Sequence, residues 1–315
     1  IVAWRGRVYD APIVSSCFGG HNVQIHVEPL APGEQPPYPT QLPFGRHFAN
    51  RMFTQRYTPE KGWHDGRIGP YEPFSMDPAA MVFHYGQEIF EGLKAYRRPD
   101  GKINLFRAWE NCLRFNRSAE RMAMAQTDPE EHFEAIAALV SVVHESVPSQ
   151  PETSLYLRPT MIAADVGLGV HASKSYLHFI IAGPVGPYFS DGFKPVQVYV
   201  SRDLVRAVKG GTGFAKTGGN YAASLYVAER VRGLGFQQVC WLDAIEHRYI
   251  EEVGAMNIGF VYEGKHIATP ALSGSILPGI TRDSVLRLAP DLGYTVSEEK
   301  LDIDYTPEHK QAQGE

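Results

Sequence analysis

The chain of 315 residues is long enough for two domains with substantial cores, and its 43% hydrophobic and 21% charged residues are ordinary for a globular protein. Its formal net charge of −5 lacks the basic excess of a nucleic-acid-binding protein, and no apolar run reaches the roughly 20 residues that a membrane-spanning helix needs. Cys17, Cys112 and Cys240 are odd in number and far apart, so we expect no disulfide framework, no metal site and a reducing, cytoplasmic setting.

The first part of the chain combines an irregular extension with a strand hairpin. Residues 1–45 are rich in proline and glycine and contain two short strand-like runs, Val8–Tyr9 and Val23–Val27. Further on, Asp100-Gly101 is typical of a hairpin turn, and residues 103–106 are expected to form the returning strand. No chemistry is assigned to the extension.

Two helices and a strand are predicted next. Residues 108–124 have a helical pattern, and Pro129 opens a second helix. The core face of this second helix is predicted to consist of Phe133, Ile136, Leu139, Val140 and Val143. Residues 154–162 alternate as a strand, which would put Tyr156 and Arg158 on one face. A buried arginine on such a face needs an acidic partner or a ligand.

Strands and helices recur in both halves, so the predicted fold class is mixed α/β (α+β) with two domains. We expect a smaller N-terminal α/β domain over residues 1–182, with the irregular extension at its start. Residues 183–192 hold three glycines and two prolines, which is typical of an interdomain connection. Residues 193–315 are expected to form a larger C-terminal domain, with helices beginning near Asn220 and Pro278.

The stretch from Lys209 to Tyr221 holds Lys216 between two glycine-rich turns. One interpretation is a phosphate-binding loop of the form GxxxxGK[ST], placed directly between a strand and a helix. Residues 210–217 come close to this form, but Ala215 stands where the last glycine should be. This departure disfavours nucleoside-triphosphate binding. Taken alone, the stretch is also compatible with a structural glycine turn that carries an exposed lysine.

Residues elsewhere in the chain fit a second chemistry, that of pyridoxal phosphate. This cofactor needs an imine-forming lysine, an anion site, an acid partner for the ring nitrogen and a group near the phenolate oxygen. Lys216 and Tyr221 can supply the first and the last, and Glu252 can hold the protonated ring nitrogen. Arg114 and the Gly279-Ile280-Thr281 segment, at a predicted helix start, suit the phosphate.

The segments that contain these residues resemble the branched-chain amino-acid aminotransferases. These enzymes belong to the D-amino-acid-aminotransferase-like group of pyridoxal-phosphate enzymes, fold type IV. The resemblance covers about residues 44–297 and is specific, because several motifs follow one another in the family's order. They are Leu-Pro-Phe-Gly (42–45), His-Tyr-Gly (84–86), Phe-Glu-Gly-Leu-Lys-Ala (90–95), Leu-Tyr-Leu-Arg-Pro (155–159), Gly-Pro-Val-Gly-Pro-Tyr-Phe (183–189), Lys-Gly-Gly-Thr-Gly-Phe-Ala-Lys-Thr-Gly-Gly-Asn-Tyr (209–221), Glu-Val-Gly-Ala-Met-Asn (252–257) and Leu-Pro-Gly-Ile-Thr-Arg (277–282).

The resemblance implies reversible transfer of an amino group from leucine, isoleucine or valine to 2-oxoglutarate. Lys216 would be the Schiff-base lysine and proton shuttle, and Glu252 the partner of the ring nitrogen. The cofactor site would be completed by Tyr221, Arg114, Gly279, Ile280 and Thr281. The substrate pocket would be lined by Phe48, Tyr85, Phe90, Tyr156 and Ala255, with Arg158 near its mouth. Val170 would reach into the site of a second copy, so the family's homodimer is expected.

Several alternatives remain open. Within the same fold, the chain could be a D-amino-acid aminotransferase or an aminodeoxychorismate lyase, although residues 252–257 and 90–94 favour the branched-chain type. A phosphate-loop nucleotide hydrolase is the alternative from another class. The family continues past Lys300 with a Gly-Thr-Ala turn that binds phosphate and substrate carboxylate, which residues 302–315 do not contain. A form that binds the cofactor without turnover is therefore a further alternative.

Overall fold

The structure is a computed structural model that describes residues 13–18, 21–28, 30–31, 34–35, 37–187 and 194–304. The predicted run Val8–Tyr9 and residues 188–192 of the predicted connection lie outside the described residues. The chain divides into two compact units, Ile1–Phe193 and Lys194–Glu315.

The first unit contains most of the strands and three of the helices. Its elements are β1 (Ile13–Phe18), β2 (His21–Val27), β3 (Arg51–Thr58), β4 (Gly62–Pro70), α1 (Met81–Tyr85), β5 (Glu88–Phe90), β6 (Leu93–Arg97), β7 (Ile103–Leu105), α2 (Ala108–Arg121), α3 (Pro129–Val142), β8 (Ser154–Ala163) and β9 (Tyr176–Val185). The strands form one sheet in the order β1-β2-β4-β3-β9-β8-β6-β7, and β5 pairs with β8. The hairpin predicted at Asp100-Gly101 is confirmed, because β6 and β7 pair antiparallel around it.

Helix α3 begins where the sequence predicts and packs its apolar face on this sheet. Asp128 caps its N-terminus, accepting hydrogen bonds from the backbone N–H of Glu130 (2.7 Å) and Glu131 (3.4 Å), and Pro129 occupies the first turn. The predicted core stripe is confirmed, since all of its members lie in or against the largest hydrophobic cluster of this unit. The strand-like run predicted at Val23–Val27 is confirmed, because it lies in β2. The rest of the extension is less irregular than expected, since β1 pairs with β2, and Ile25 and Val27 join the same cluster.

The second unit holds two small sheets and two helices within residues 194–304. Its elements are β10 (Val198–Ser201), α4 (Gly218–Arg232), β11 (Gln238–Leu242), β12 (Ile250–Val253), β13 (Phe260–Tyr262), β14 (His266–Pro270), α5 (Ile280–Leu288) and β15 (Thr295–Glu299). In the first sheet β10 runs parallel to β11, so α4 lies in the crossover between them, and β12 is antiparallel to β11. In the second sheet β14 pairs with both β13 and β15.

Helix α4 buries a narrow apolar face against the first sheet. Val227 and Val231 pack against Val239 and Trp241 of β11. By contrast, Leu225 on the same helix is 60% exposed.

Candidate active site

Lys216 lies in the turn that precedes α4, and its side chain is half-buried. Its Nζ donates a hydrogen bond to the Tyr221 hydroxyl at 2.9 Å, so the structure brings together two of the predicted cofactor residues. Asn220 holds the turn from behind. Its Oδ1 accepts from Thr212 Oγ1 (2.7 Å), and its Nδ2 donates to the carbonyl oxygens of Thr212 and Ala215 (2.8 Å each). The backbone on the N-terminal side of Lys216 is thus fixed by a buried amide.

Glu252 is a buried acid of the same unit. It lies on β12 with only 3% of its surface exposed. Its Oε1 accepts from the backbone N–H of Leu277 (2.9 Å) and from Asn257 Nδ2 (3.3 Å), while its Oε2 lies 3.2 Å from Arg206 Nε. Burial raises the pKa of the Glu252 carboxyl, and the charge of Arg206 opposes this rise. The role of Glu252 toward a protonated ring nitrogen stays a prediction.

The start of α5 is tied to the same strand. Asn257 Nδ2 also donates to the Leu277 carbonyl at 3.0 Å, and a Cβ built on Gly279 would overlap Asn257 Oδ1. Glycine is therefore required there for the close approach. Ile280 is half-buried and Thr281 is exposed in the first turn. The N-terminal end of a helix attracts an anion through its backbone N–H groups and dipole, which fits the predicted phosphate site.

In the first unit, Arg114 is engaged in a buried ion pair. Its side chain on α2 is 7% exposed, and Glu91 is fully buried. Arg114 Nε donates to Glu91 Oε1 (2.7 Å) and Nη2 to Oε2 (2.9 Å), a bidentate arrangement that fixes the guanidinium plane. Asn111 Nδ2 adds a third donor to Oε2 at 2.7 Å. The predicted role of Arg114 toward a phosphate stays a prediction, with one edge of its guanidinium committed to Glu91.

Three of the predicted substrate residues lie together in the same unit. Arg158 Nη2 donates to the Tyr156 hydroxyl at 2.9 Å, and the guanidinium carbon lies 4.6 Å from the centre of the Phe90 ring. The alternation predicted for residues 154–162 is confirmed, because both Tyr156 and Arg158 project from β8 toward this cluster. A Cβ on Gly92 would overlap the Tyr156 hydroxyl, so the glycine makes room for the ring.

The other predicted substrate residues lie at more exposed positions. Phe48 stacks on Tyr71 with ring centres 5.3 Å apart. Tyr85 donates through its hydroxyl to the backbone carbonyl of Leu168, which anchors the loop over residues 165–175. Val170 on that loop is 85% exposed, and Ala255 is exposed in the turn after β12.

Several residues that contact the predicted site residues carry no assigned role in the sequence predictions. Within the second unit they are Arg206, Asn220, Glu251 and Asn257. Within the first unit, described separately, they are Glu91 and Asn111. The sequence gives a partial indication of some of these residues. A charged or amide residue inside an otherwise apolar or glycine-rich segment needs a partner if it is buried, so its presence predicts a buried polar contact. The sequence does not show which partner is supplied, since most of these contacts join residues far apart in the chain.

Two further observations concern the described residues as a whole. Among them, no group of three or more histidine, cysteine, aspartate or glutamate side chains is placed to hold a metal ion. None of the helices within the described ranges is long and apolar enough to cross a bilayer.

Known proteins with similar sequences include branched-chain-amino-acid aminotransferases. Residues 88–312 match the family model for amino-transferase class IV. A probable branched-chain-amino-acid aminotransferase of Streptomyces coelicolor is 52% identical over 277 residues, 88% of this chain and 76% of the relative. Branched-chain-amino-acid transaminase 1 of Bacillus subtilis is 52% identical over 86% of this chain and 76% of its own length.

Solved structures agree with this assignment. The branched-chain amino acid aminotransferase of Escherichia coli aligns with a TM-score of 0.69 at 28% identity, covering 81% of this chain and 79% of that one. The T.th. enzyme, solved in complex with N-(5'-phosphopyridoxyl)-L-glutamate, aligns with a TM-score of 0.67 at 28% identity over 81% and 78% of the two chains. The expected fold type IV is thereby confirmed. This chain belongs to the class IV aminotransferases and, within them, to the branched-chain-amino-acid aminotransferase family.

Proposed function

We propose that this chain catalyses reversible transfer of the amino group of leucine, isoleucine or valine to 2-oxoglutarate, with pyridoxal phosphate as the carrier. The observation that carries the proposal is the pairing of Lys216 Nζ with the Tyr221 hydroxyl at 2.9 Å, in the unit that also holds the buried Glu252. When bound, the cofactor supplies a carbonyl carbon that accepts the amino group and a ring that takes up the electron pair at the substrate Cα.

Each of the predicted cofactor residues of the second unit has its own proposed role. Lys216 Nζ would act as general base toward the proton on the substrate Cα and as general acid toward the cofactor carbon that carries the nitrogen, and these roles would reverse in the second half-reaction. Tyr221 orients that amine through its hydrogen bond and would face the phenolate oxygen. Glu252 would hold the ring nitrogen in its protonated form. The first turn of α5, at Ile280 and Thr281, would bind the phosphate.

The cluster of Phe90, Tyr156 and Arg158 suits a site that must accept two unlike substrates. Aromatic walls favour a branched aliphatic side chain, since each buried methylene contributes about 0.8 kcal/mol. The second substrate carries an extra carboxylate, for which Arg158 offers a guanidinium within the same cluster.

The loop over residues 165–175 supports a homodimer as the working form. Val166, Leu168 and Val170 on this loop are 63%, 66% and 85% exposed, an arrangement that favours burial against a second copy. The buried thiols of Cys112 and Cys240 fit the proposed cytoplasmic setting.

The decisive assay measures glutamate formation from leucine and 2-oxoglutarate after loading with pyridoxal phosphate, with D-alanine as the control amino donor. We expect activity with leucine, isoleucine and valine and none with D-alanine. Activity with D-alanine alone would assign the chain to the D-amino-acid type. Release of pyruvate from aminodeoxychorismate, without amino transfer, would assign it to the lyase type.

The two-substrate role of Arg158 has its own test. Replacing it with methionine keeps an apolar stem but removes the guanidinium. We expect KM for 2-oxoglutarate to rise at least about tenfold while KM for leucine changes little, because only the former needs a partner for a second carboxylate. Arg98→Met, at an exposed arginine paired with Asp100, is the matched control. Equal effects on both substrates would contradict this role.

A further inference from the structure

Two neighbouring carboxyls are buried side by side on β12. Glu251 is 6% exposed and Glu252 is 3% exposed. Because successive side chains of a strand point to opposite faces, the two carboxyls meet different surroundings. Arg206, whose side chain is 7% exposed, carries a positive charge that acts on both of them. Two ionised carboxylates would exceed the charge of this one guanidinium.

Arg206 contacts Glu252 directly but Glu251 only indirectly. Its Nε lies 3.2 Å from Glu252 Oε2, and its Nη2 donates to the backbone carbonyl of Ser275. The hydroxyl of Ser275 in turn donates to Glu251 Oε1. The guanidinium therefore contacts Glu252 directly and reaches Glu251 only through a serine.

Glu251 has the surroundings of an uncharged carboxyl. Its Oε1 is contacted by the hydroxyls of Ser273 (3.3 Å) and Ser275, which lie 2.6 Å from each other. Its Oε2 is buried and has no hydrogen-bond partner among the described residues. A carboxylate oxygen buried without a donor is strongly disfavoured, whereas a protonated carboxyl is buried at far lower cost. Burial raises the pKa of Glu251, as does the charge of Asp243, against the lowering effect of the two serines and Arg206. At Glu252 the charge of Lys216 acts in the same direction as that of Arg206.

The turn that Glu251 holds has three further attachments. The backbone N–H of Leu277 donates to Glu252 Oε1 at 2.9 Å, and the Ser275 carbonyl accepts from Arg206. A Cβ on Gly213, in the loop that leads to Lys216, would overlap that same Ser275 carbonyl. Residues 273–277 thus join β12, Arg206 and the Lys216 loop.

We propose that Glu251 is a positioning residue, an uncharged carboxyl that anchors residues 273–277 to β12 and leaves the Arg206 charge to Glu252. The role toward the cofactor rests on the proposed function, since it assumes that Glu252 faces the ring nitrogen. The charge state of Glu251 does not depend on that function, because it concerns the folded chain alone.

The first test compares wild type with Glu251→Gln in thermal unfolding from pH 5 to pH 8, without cofactor. In the unfolded chain Glu251 ionises near its ordinary value of 4.5, whereas in the folded chain it stays protonated to higher pH. The folded state then binds the extra proton, so its stability falls as pH rises above that value. Glutamine removes this pH dependence, so the variant should gain stability relative to wild type as pH rises. The ratio of the variant's folding equilibrium constant to that of wild type should rise by at most about tenfold per pH unit.

Glu246→Gln is the matched control, at a carboxyl whose side chain is 48% exposed and which pairs loosely with Lys300 at 3.6 Å. We expect its difference from wild type to stay flat across this pH range. A Glu251→Gln difference that is flat, or that turns against the variant at high pH, would overturn the proposal, because Glu251 would then be ionised in the folded chain.

The second test measures pyridoxal phosphate binding and the pH titration of the bound cofactor's visible absorption. Glu251→Gln should bind within about twofold of wild type, whereas Ser275→Ala and Glu251→Ala should bind about tenfold more weakly and shift the midpoint of the titration. Unchanged binding and titration in Ser275→Ala and Glu251→Ala would refute the positioning role. Wild-type protein that takes up no pyridoxal phosphate would refute the proposed function instead, while the unfolding comparison would still report on Glu251.

Discussion

Replacing Glu91 by alanine removes the carboxylate that contacts the buried guanidinium of Arg114. In the native protein Glu91 Oε1 and Oε2 accept from Arg114 Nε and Nη2 at 2.7 and 2.9 Å. Asn111 Nδ2 (2.7 Å) and the backbone N–H of Gly92 (3.1 Å) also donate to Oε2. The alanine variant leaves these donors facing a cavity.

The expected loss of unfolding free energy is about 3–5 kcal/mol, the range observed when one partner of a buried ion pair is removed. Glu91→Ala combined with Arg114→Met should recover most of that loss, because the double variant removes both charges of the pair. Glu229→Ala, at an exposed pair with Arg232, should change stability by less than about 0.5 kcal/mol.

Chemical denaturation followed by circular dichroism measures these differences, with each variant compared at the same pH and without cofactor. If Glu91→Ala loses no more unfolding free energy than the exposed control, the interpretation of Glu91 and Arg114 as a stabilising buried ion pair is refuted. Failure of the double variant to recover stability would show that the cavity, rather than the unpaired charge, dominates the loss.

Three further outcomes are expected. Acid should destabilise the protein between about pH 6.5 and 4. Burial lowers the pKa of His132 to about 4 and also lowers the pKa of His178. In this pH range both imidazoles therefore take up protons only when the protein unfolds. For His132 the shift corresponds to about 3 kcal/mol, and thermal unfolding of a His132→Leu variant should lose that part of the pH dependence. Glu252→Gln should retain cofactor uptake but lose about 10²-fold or more in leucine turnover, because a neutral amide stabilises the protonated ring nitrogen poorly; turnover near wild type would exclude that role. Gly213→Ala should destabilise the protein by about 1–3 kcal/mol in denaturant titrations, since its Cβ would overlap the Ser275 carbonyl; an unchanged midpoint would show that the loop yields easily.

The elements that the sequence predicts correctly are those set by local periodicity. The stripe on α3 follows from spacing along one helix face, and the structure buries it as expected. The closeness of Lys216 and Tyr221 is similarly local, because five residues separate them across the start of α4.

Long-range partners account for what the sequence leaves open. Glu252 receives its contacts from Arg206 and Leu277, and Glu251 receives its own from Ser273 and Ser275. No periodicity links such positions, since they meet only after β12 and the turn over residues 273–277 have packed together. The exposure of Leu225 on α4 has the same origin, because the register of the helix on β11 decides which apolar residues are covered.

The covalent attachment of the cofactor to Lys216 is the central claim, and one measurement tests it most directly. Protein loaded with pyridoxal phosphate is reduced with borohydride, digested and analysed by peptide mass spectrometry. We predict a single modified peptide with the cofactor fixed on Lys216, and no modification in Lys216→Ala. Wild-type protein labelled at another lysine, or not labelled at all, would contradict the proposed chemistry.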